Sequence, residues 1–186
     1  NPLFDITLPP YSSIILIDIS KSFVASERAL SSAFFFTMLS LLSNNFICIV
    51  FPHSVDISLT NSVWFSGFSK TVFTKGFANA LGITDTVTSP TFNIIKEYDG
   101  ELPLYHMDVY RLNGNVEGTG IEEYFTKGGV VVIEWADTIQ DILPEERLDI
   151  KFKLVEGNEN TRVLILKPHG QKYEELCEAV LWNIYL

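Results

Sequence analysis

Charge is scarce in the first third of this chain. Residues 1–69 carry only six charged side chains, Asp5, Asp18, Lys21, Glu27, Arg28 and Asp56, and none lies between Ala29 and Val55. The length of that uncharged run would allow a membrane-spanning helix. Ser31, Ser32, Ser40, Ser43, Asn44 and Asn45 dilute it, however, and Lys or Arg hardly flank it, so membrane association is not expected. The apolar stretch starts late and has no basic leader, which argues against a cleaved signal peptide. Cysteine is equally sparse. Cys48 and Cys177 stand far apart with no partner motif, which excludes a disulfide framework or a zinc site and suggests reduced thiols in a cytoplasmic setting. Basic residues are also few, 13 against 23 acidic, for a net charge of -10. Gripping nucleic acid directly needs clustered Lys and Arg to neutralise phosphates, so any contact with RNA should be indirect.

What is present is a foldable chain. Its 186 residues, 47% hydrophobic, suit one domain with enough length to bury a core. The composition changes near residue 69, which divides the chain into an atypical low-charge segment, 1–69, and an orderly domain, 70–186. The break suggests that the first segment is diverged or was translated from a shifted reading frame. From Lys70 onward the periodicities are regular. Thr71 to Leu81 places Val72, Phe73, Phe77, Ala80 and Leu81 at helical spacing, with Gly82 where a helix stops. Strands are expected over Phe92–Tyr98 and Leu104–Tyr110, a short helix over Val116–Phe125, and a buried strand over Val130–Glu134. A hairpin is expected around Glu156-Gly157-Asn158, then an amphipathic helix over Tyr173–Trp182, in which Cys177 should be packed. This mixture predicts a three-layer α/β domain with a central sheet.

Four groups carry chemistry. A phosphate-binding loop aims backbone N–H groups at the anion from a helix N-terminus, adds a lysine for the terminal phosphates, and places a hydroxyl on magnesium. Lys70 and Thr71 supply the last two. Glycines belong at positions 64 and 69, where the backbone must approach the phosphates closely. This chain has Trp64 and Ser69 there and keeps only Gly67. Val87-Thr88-Ser89-Pro90-Thr91 offers hydroxyls on a loop stiffened by proline, suited to sensing a γ-phosphate or its magnesium; a plain capping turn would use the same residues. Leu-Tyr-His-Met-Asp-Val-Tyr-Arg, 104–111, would point His106, Asp108 and Tyr110 to one strand face. His106 alone reads as a core histidine. Asp108 is costly to bury without a partner. Finally, Gly-Gly-Val-Val-Val-Ile-Glu-Trp, 128–135, resembles a Walker B strand ending in Glu134, a carboxylate able to bind magnesium directly or through water.

These motifs, in this order, resemble the bacterial TsaE (YjeE) family, the ATPase component of the tRNA threonylcarbamoyladenosine pathway. The likeness runs from Lys70 to about Leu148 and includes Thr-Ser-Pro-Thr-Phe, Leu-Tyr-His-Met-Asp-Val-Tyr-Arg-Leu and Ile-Glu-Trp-Ala-Asp. It implies a P-loop NTPase-like fold with a mostly parallel central sheet and a C-terminal hairpin. It further implies a cytoplasmic, Mg2+-dependent ATPase whose cofactors are ATP and Mg2+. The implied partners are a TsaD–TsaB-type threonylcarbamoyl transferase complex, with tRNA reached through it; the sequence is silent on oligomeric state, and a homodimer is compatible with it. On this reading Lys70 contacts the β and γ phosphates, alongside Gly67 and Ser69 of the loop. Thr71 and Glu134 hold magnesium, Asp108 positions or activates water, and Thr88 or Thr91 senses the γ-phosphate. Trp135 packs near the nucleotide, and Arg162 contacts it. The departure lies upstream of Lys70, where the Gly-rich loop is missing. The alternative is therefore a degenerate nucleotide-fold interaction module that no longer hydrolyses ATP.

Overall fold

A computed structural model describes residues 13–18, 46–51, 63–100, 102–155 and 158–185. Seven strands form one sheet: β1 (Ser13–Asp18), β2 (Phe46–Phe51), β3 (Ile95–Tyr98), β4 (Leu104–Asp108), β5 (Gly129–Glu134), β6 (Arg147–Val155) and β7 (Asn158–His169). Their order is β1-β7-β6-β2-β5-β4-β3. The middle four strands, β6-β2-β5-β4, run parallel, and antiparallel pairs flank them at both ends. Among the described residues two α-helices pack with the sheet, α1 (Val63–Ala80) and α2 (Gln171–Tyr185). The expected α/β class, parallel sheet centre and C-terminal hairpin of β6 with β7 are all present.

β5 shows why the sheet centre is where it is. Every residue from Gly129 to Glu134 is buried, as a strand covered on both faces requires, and Val-Val-Val-Ile supplies that continuous apolar run. Alternation then divides the core into two layers. Val130 and Val132 join Leu104, Ile49 and Leu148 against Phe73 and Phe77 of α1, Leu81 just past its end, and Tyr173, Leu176 and Val180 of α2. Val131 and Ile133 join Tyr105 and Met107 on the opposite face, beneath the 3-10 turns Ile121–Phe125 and Ala136–Ile142. β5 is entered through Gly129 at φ +94, where an added Cβ would lie 2.5 Å from the Pro103 carbonyl oxygen, so only glycine fits.

Four expectations need correcting. The helix after the phosphate-loop region begins at Val63, not at Thr71, so Lys70 is its eighth residue. Trp64 and Ser69 stand where the loop wanted glycine, and nothing there favours leaving the helix. β4 ends at Asp108, and Tyr110 lies in a 3-10 turn, 55% exposed, so it does not share the face of His106 and Asp108. β3 starts at Ile95, because residues 91–93 form a turn in which the Pro90 carbonyl accepts the N–H groups of Asn93 and Ile94. The helix expected over Val116–Phe125 is reduced to a 3-10 segment from Ile121, since Gly118 and Gly120 adopt positive φ. Within the uncharged run, Phe46–Phe51 is a strand lying between β5 and β6. The sheet therefore draws its central strand from the low-charge segment; the rest of that run lies outside the described residues. No described helix is long and apolar enough to cross a membrane.

Candidate functional site

The ends of two neighbouring parallel strands build the site. Asp108 closes β4, Glu134 closes β5, and the two are register partners. Both point to the face covered by α1, as do Leu104, His106, Val130 and Val132. Open parallel sheets bind ligands at the carboxyl ends of their strands, where side chains project beyond the pairing.

Glu134 is 2% exposed. Its Oε1 receives the Thr71 hydroxyl at 3.3 Å and lies 2.9 Å from His106 Nε2. Asp108 is also buried, and its cost is offset by three donors. Thr91 Oγ1 lies 2.7 Å and Ser89 Oγ 3.4 Å from Oδ2, and the Tyr110 N–H donates to Oδ1 from 3.2 Å. The proline-stiffened loop is thus tied directly to the β4 acid. Thr88 is turned elsewhere: its hydroxyl accepts from Lys96, and its backbone N–H meets the Tyr98 hydroxyl at 3.3 Å.

Lys70 is 5% exposed, with its ammonium 3.9 Å from the centre of the Trp135 ring. Burial pushes its pKa below the usual 10.5, while the charges of Glu134, Asp108 and Asp137 oppose that shift. Trp135 holds φ +64, a left-handed conformation that is an outlier for so bulky a residue and costs on the order of 1–3 kcal/mol. That kink turns the chain out of β5, and the ring also packs on Tyr110 at 4.8 Å. Ile94, at φ +65, carries similar strain at the far end of the hydroxyl loop, where its carbonyl accepts the Asp108 N–H at 2.9 Å.

Lys70, Thr71, Thr91, Asp108, Glu134 and Trp135 therefore lie near one another at the ends of β4 and β5. Gly67 and Ser69 lie within α1 as backbone. Their N–H groups belong to the interior of the helix, where i→i−4 bonding engages them. Arg162 sits on β7, separated from β5 by β6 and β2, about 14 Å away at ordinary strand spacing. His106 was missed as a site residue. The signal was its place two residues before Asp108 on the same strand face.

As for a divalent cation, the donor set suits a hard ion: one hydroxyl and carboxylates at adjacent strand ends. Among the described residues no group of three or more His, Cys, Asp or Glu gathers as a dedicated metal cage. Such a set matches Mg2+ held jointly by protein and phosphate oxygens. The backbone half of a triphosphate cradle is not matched, because α1 occupies residues 63–69 as helix.

The family profile described as "Threonylcarbamoyl adenosine biosynthesis protein TsaE" matches residues 63–164, more than half of the chain. The chain belongs to the TsaE family. The tRNA threonylcarbamoyladenosine biosynthesis protein TsaE of Bacillus subtilis is 53% identical over 115 residues, which span 61% of this chain and 72% of that one. TsaE of Treponema pallidum is 42% identical over 103 residues, covering 50% of this chain and 72% of its own. The crystal structure of Bacillus subtilis YdiB superposes with a TM-score of 0.68 at 33% identity, covering 93% of this chain and 96% of that one. The TsaE match starts within α1, so β1 and β2 lie ahead of it.

Proposed function

We propose that this chain is the Mg2+–ATP-binding component of tRNA threonylcarbamoyladenosine biosynthesis and hydrolyses ATP in the cytoplasm in concert with a TsaD–TsaB-type transferase complex. The observation that supports this reading is the convergence of Lys70, Thr71, Asp108 and Glu134 at the ends of β4 and β5. Mg2+ supplies charge neutralisation on the phosphoryl group, and the chain's own residues do the rest. Lys70 carries the positive charge toward the terminal phosphates, from a buried position where charge interactions are screened less than in water. Thr71 donates its proton to Glu134, which leaves its oxygen lone pairs for the cation, and Glu134 supplies carboxylate charge. Asp108, held by Thr91 and Ser89, orients a water for attack and accepts its proton. Trp135 covers the lysine and excludes bulk water. With net charge -10, the chain reaches tRNA through its partners.

One observation favours a second reading, an interaction module that no longer hydrolyses ATP. The helical course of residues 63–69 withholds the backbone N–H groups that a phosphate loop presents. Phosphate release from ATP, measured with Mg2+ in the presence and absence of the transferase complex, separates the two. Turnover that depends on Mg2+ and rises with the complex supports the ATPase. Complex formation without turnover supports the module.

A further inference from the structure

His106 has no task in the reading above, and its surroundings are unusual for a histidine retained for packing. The side chain is fully buried, and its Nδ1 has no hydrogen-bond partner among the described residues. A residue needed only to fill space there would be apolar and would orphan nothing. The ring's one hydrogen bond goes to Glu134 Oε1, at 2.9 Å. Register explains the reach. His106 lies opposite Val132, two residues before Glu134 on the same face of the neighbouring strand. With a carboxylate as acceptor, Nε2 carries the proton and donates it.

Thr71 donates to that same oxygen from 3.3 Å. Among the described residues, both side chains that donate to Glu134 therefore meet at Oε1 and leave Oε2 to other ligands. We propose that His106 is a positioning residue that pins the Glu134 carboxylate through Oε1 and thereby keeps Oε2 directed to a divalent cation. The inference rests on Glu134 being a metal ligand, and its test separates the two ideas. Partners that orient a ligating carboxylate alter metal affinity about 10- to 100-fold when removed.

The probe is Mn2+ alone, with free ion quantified by electron paramagnetic resonance, on wild type, His106→Phe, His106→Gln and Glu134→Ala. His106→Phe should weaken Mn2+ binding about 10- to 100-fold, and His106→Gln, whose amide N–H can occupy the Nε2 position, should recover it to within a few-fold. A second readout needs no His106 variant: long-range 1H–15N NMR of the metal-free protein should find Nε2 protonated, with its resonance displaced in Glu134→Ala. Undiminished Mn2+ binding by a folded His106→Phe overturns the proposal, and so does a ring protonated only at Nδ1. If Glu134→Ala binds Mn2+ as well as wild type does, the metal reading of Glu134 is what fails. The NMR displacement then decides alone whether His106 holds that carboxylate.

Discussion

At the scale of single residues, Lys70 ties function to stability most directly. Burial lowers its pKa from 10.5, so the folded chain releases that proton first as pH rises. Between the lowered value and 10.5 the unfolded chain binds more protons, and stability must increase with pH; below that window the buried charge is a constant cost. The buried or hydrogen-bonded phenols of Tyr105, Tyr124 and Tyr173 have raised pKa values and act oppositely at high pH. The difference between wild type and Lys70→Met isolates the lysine. Denaturant titrations across alkaline pH should find wild type gaining on the variant as pH approaches 10.5, and parallel curves would remove Lys70 from this account. Tyr173 makes a purely structural prediction. Its hydroxyl accepts the buried Cys48 N–H at 2.8 Å and so ties α2 to the central strand β2. Tyr173→Phe should cost about 1–3 kcal/mol in thermal unfolding, because the N–H is left without an acceptor. Cys48 and Cys177 are buried free thiols pushed up to about 12, as expected of packing residues. At Asp108, Asp108→Asn should reduce turnover more than nucleotide affinity, since the water step needs its basic oxygen. Equal losses in both would contradict that role.

At the scale of elements, legibility followed the strength of the local pattern. β5 could be read from sequence because a run of Val and Ile bounded by Gly128-Gly129 and Glu134 has few alternatives. The β6–β7 hairpin was legible for the same reason, with turn residues between two alternating strands. β4 was read two residues too long, since alternation in Asp-Val-Tyr-Arg continues after the pairing has stopped. β2 was hidden in a run whose composition suggests a helix as readily as a strand, and only pairing with β5 and β6 decides between them. α1 began eight residues earlier than its apolar periodicity suggested, because the expected loop lacks its glycines. That element carries its own prediction. Replacing Trp64 and Ser69 together by glycine should destabilise the first turns of α1 by about 1 kcal/mol per residue and free the segment to loop. Nucleotide affinity should then rise at least about tenfold, or 1.4 kcal/mol. An unchanged affinity would mean that the helical course of residues 63–69 is not what limits phosphate binding.

At the scale of the whole molecule, the parallel centre of the sheet explains why a site exists at all. Adjacent parallel strands end together, so the acids of β4 and β5 emerge as a pair, and the helix packed over that face brings a lysine and a hydroxyl to them. Membership of the TsaE family places the protein in tRNA modification, and acidic residues outnumber basic ones, 23 to 13. The central claim is that Lys70, Thr71, Asp108 and Glu134 form a single site for a nucleotide and its magnesium. Calorimetric titration of ATP, with and without Mg2+, into wild type and Glu134→Ala tests this most directly. Wild type should bind at least about tenfold more tightly with Mg2+, and Glu134→Ala should lose that advantage while remaining folded. Equal affinity of wild type with and without Mg2+, or an advantage undiminished in Glu134→Ala, would contradict it.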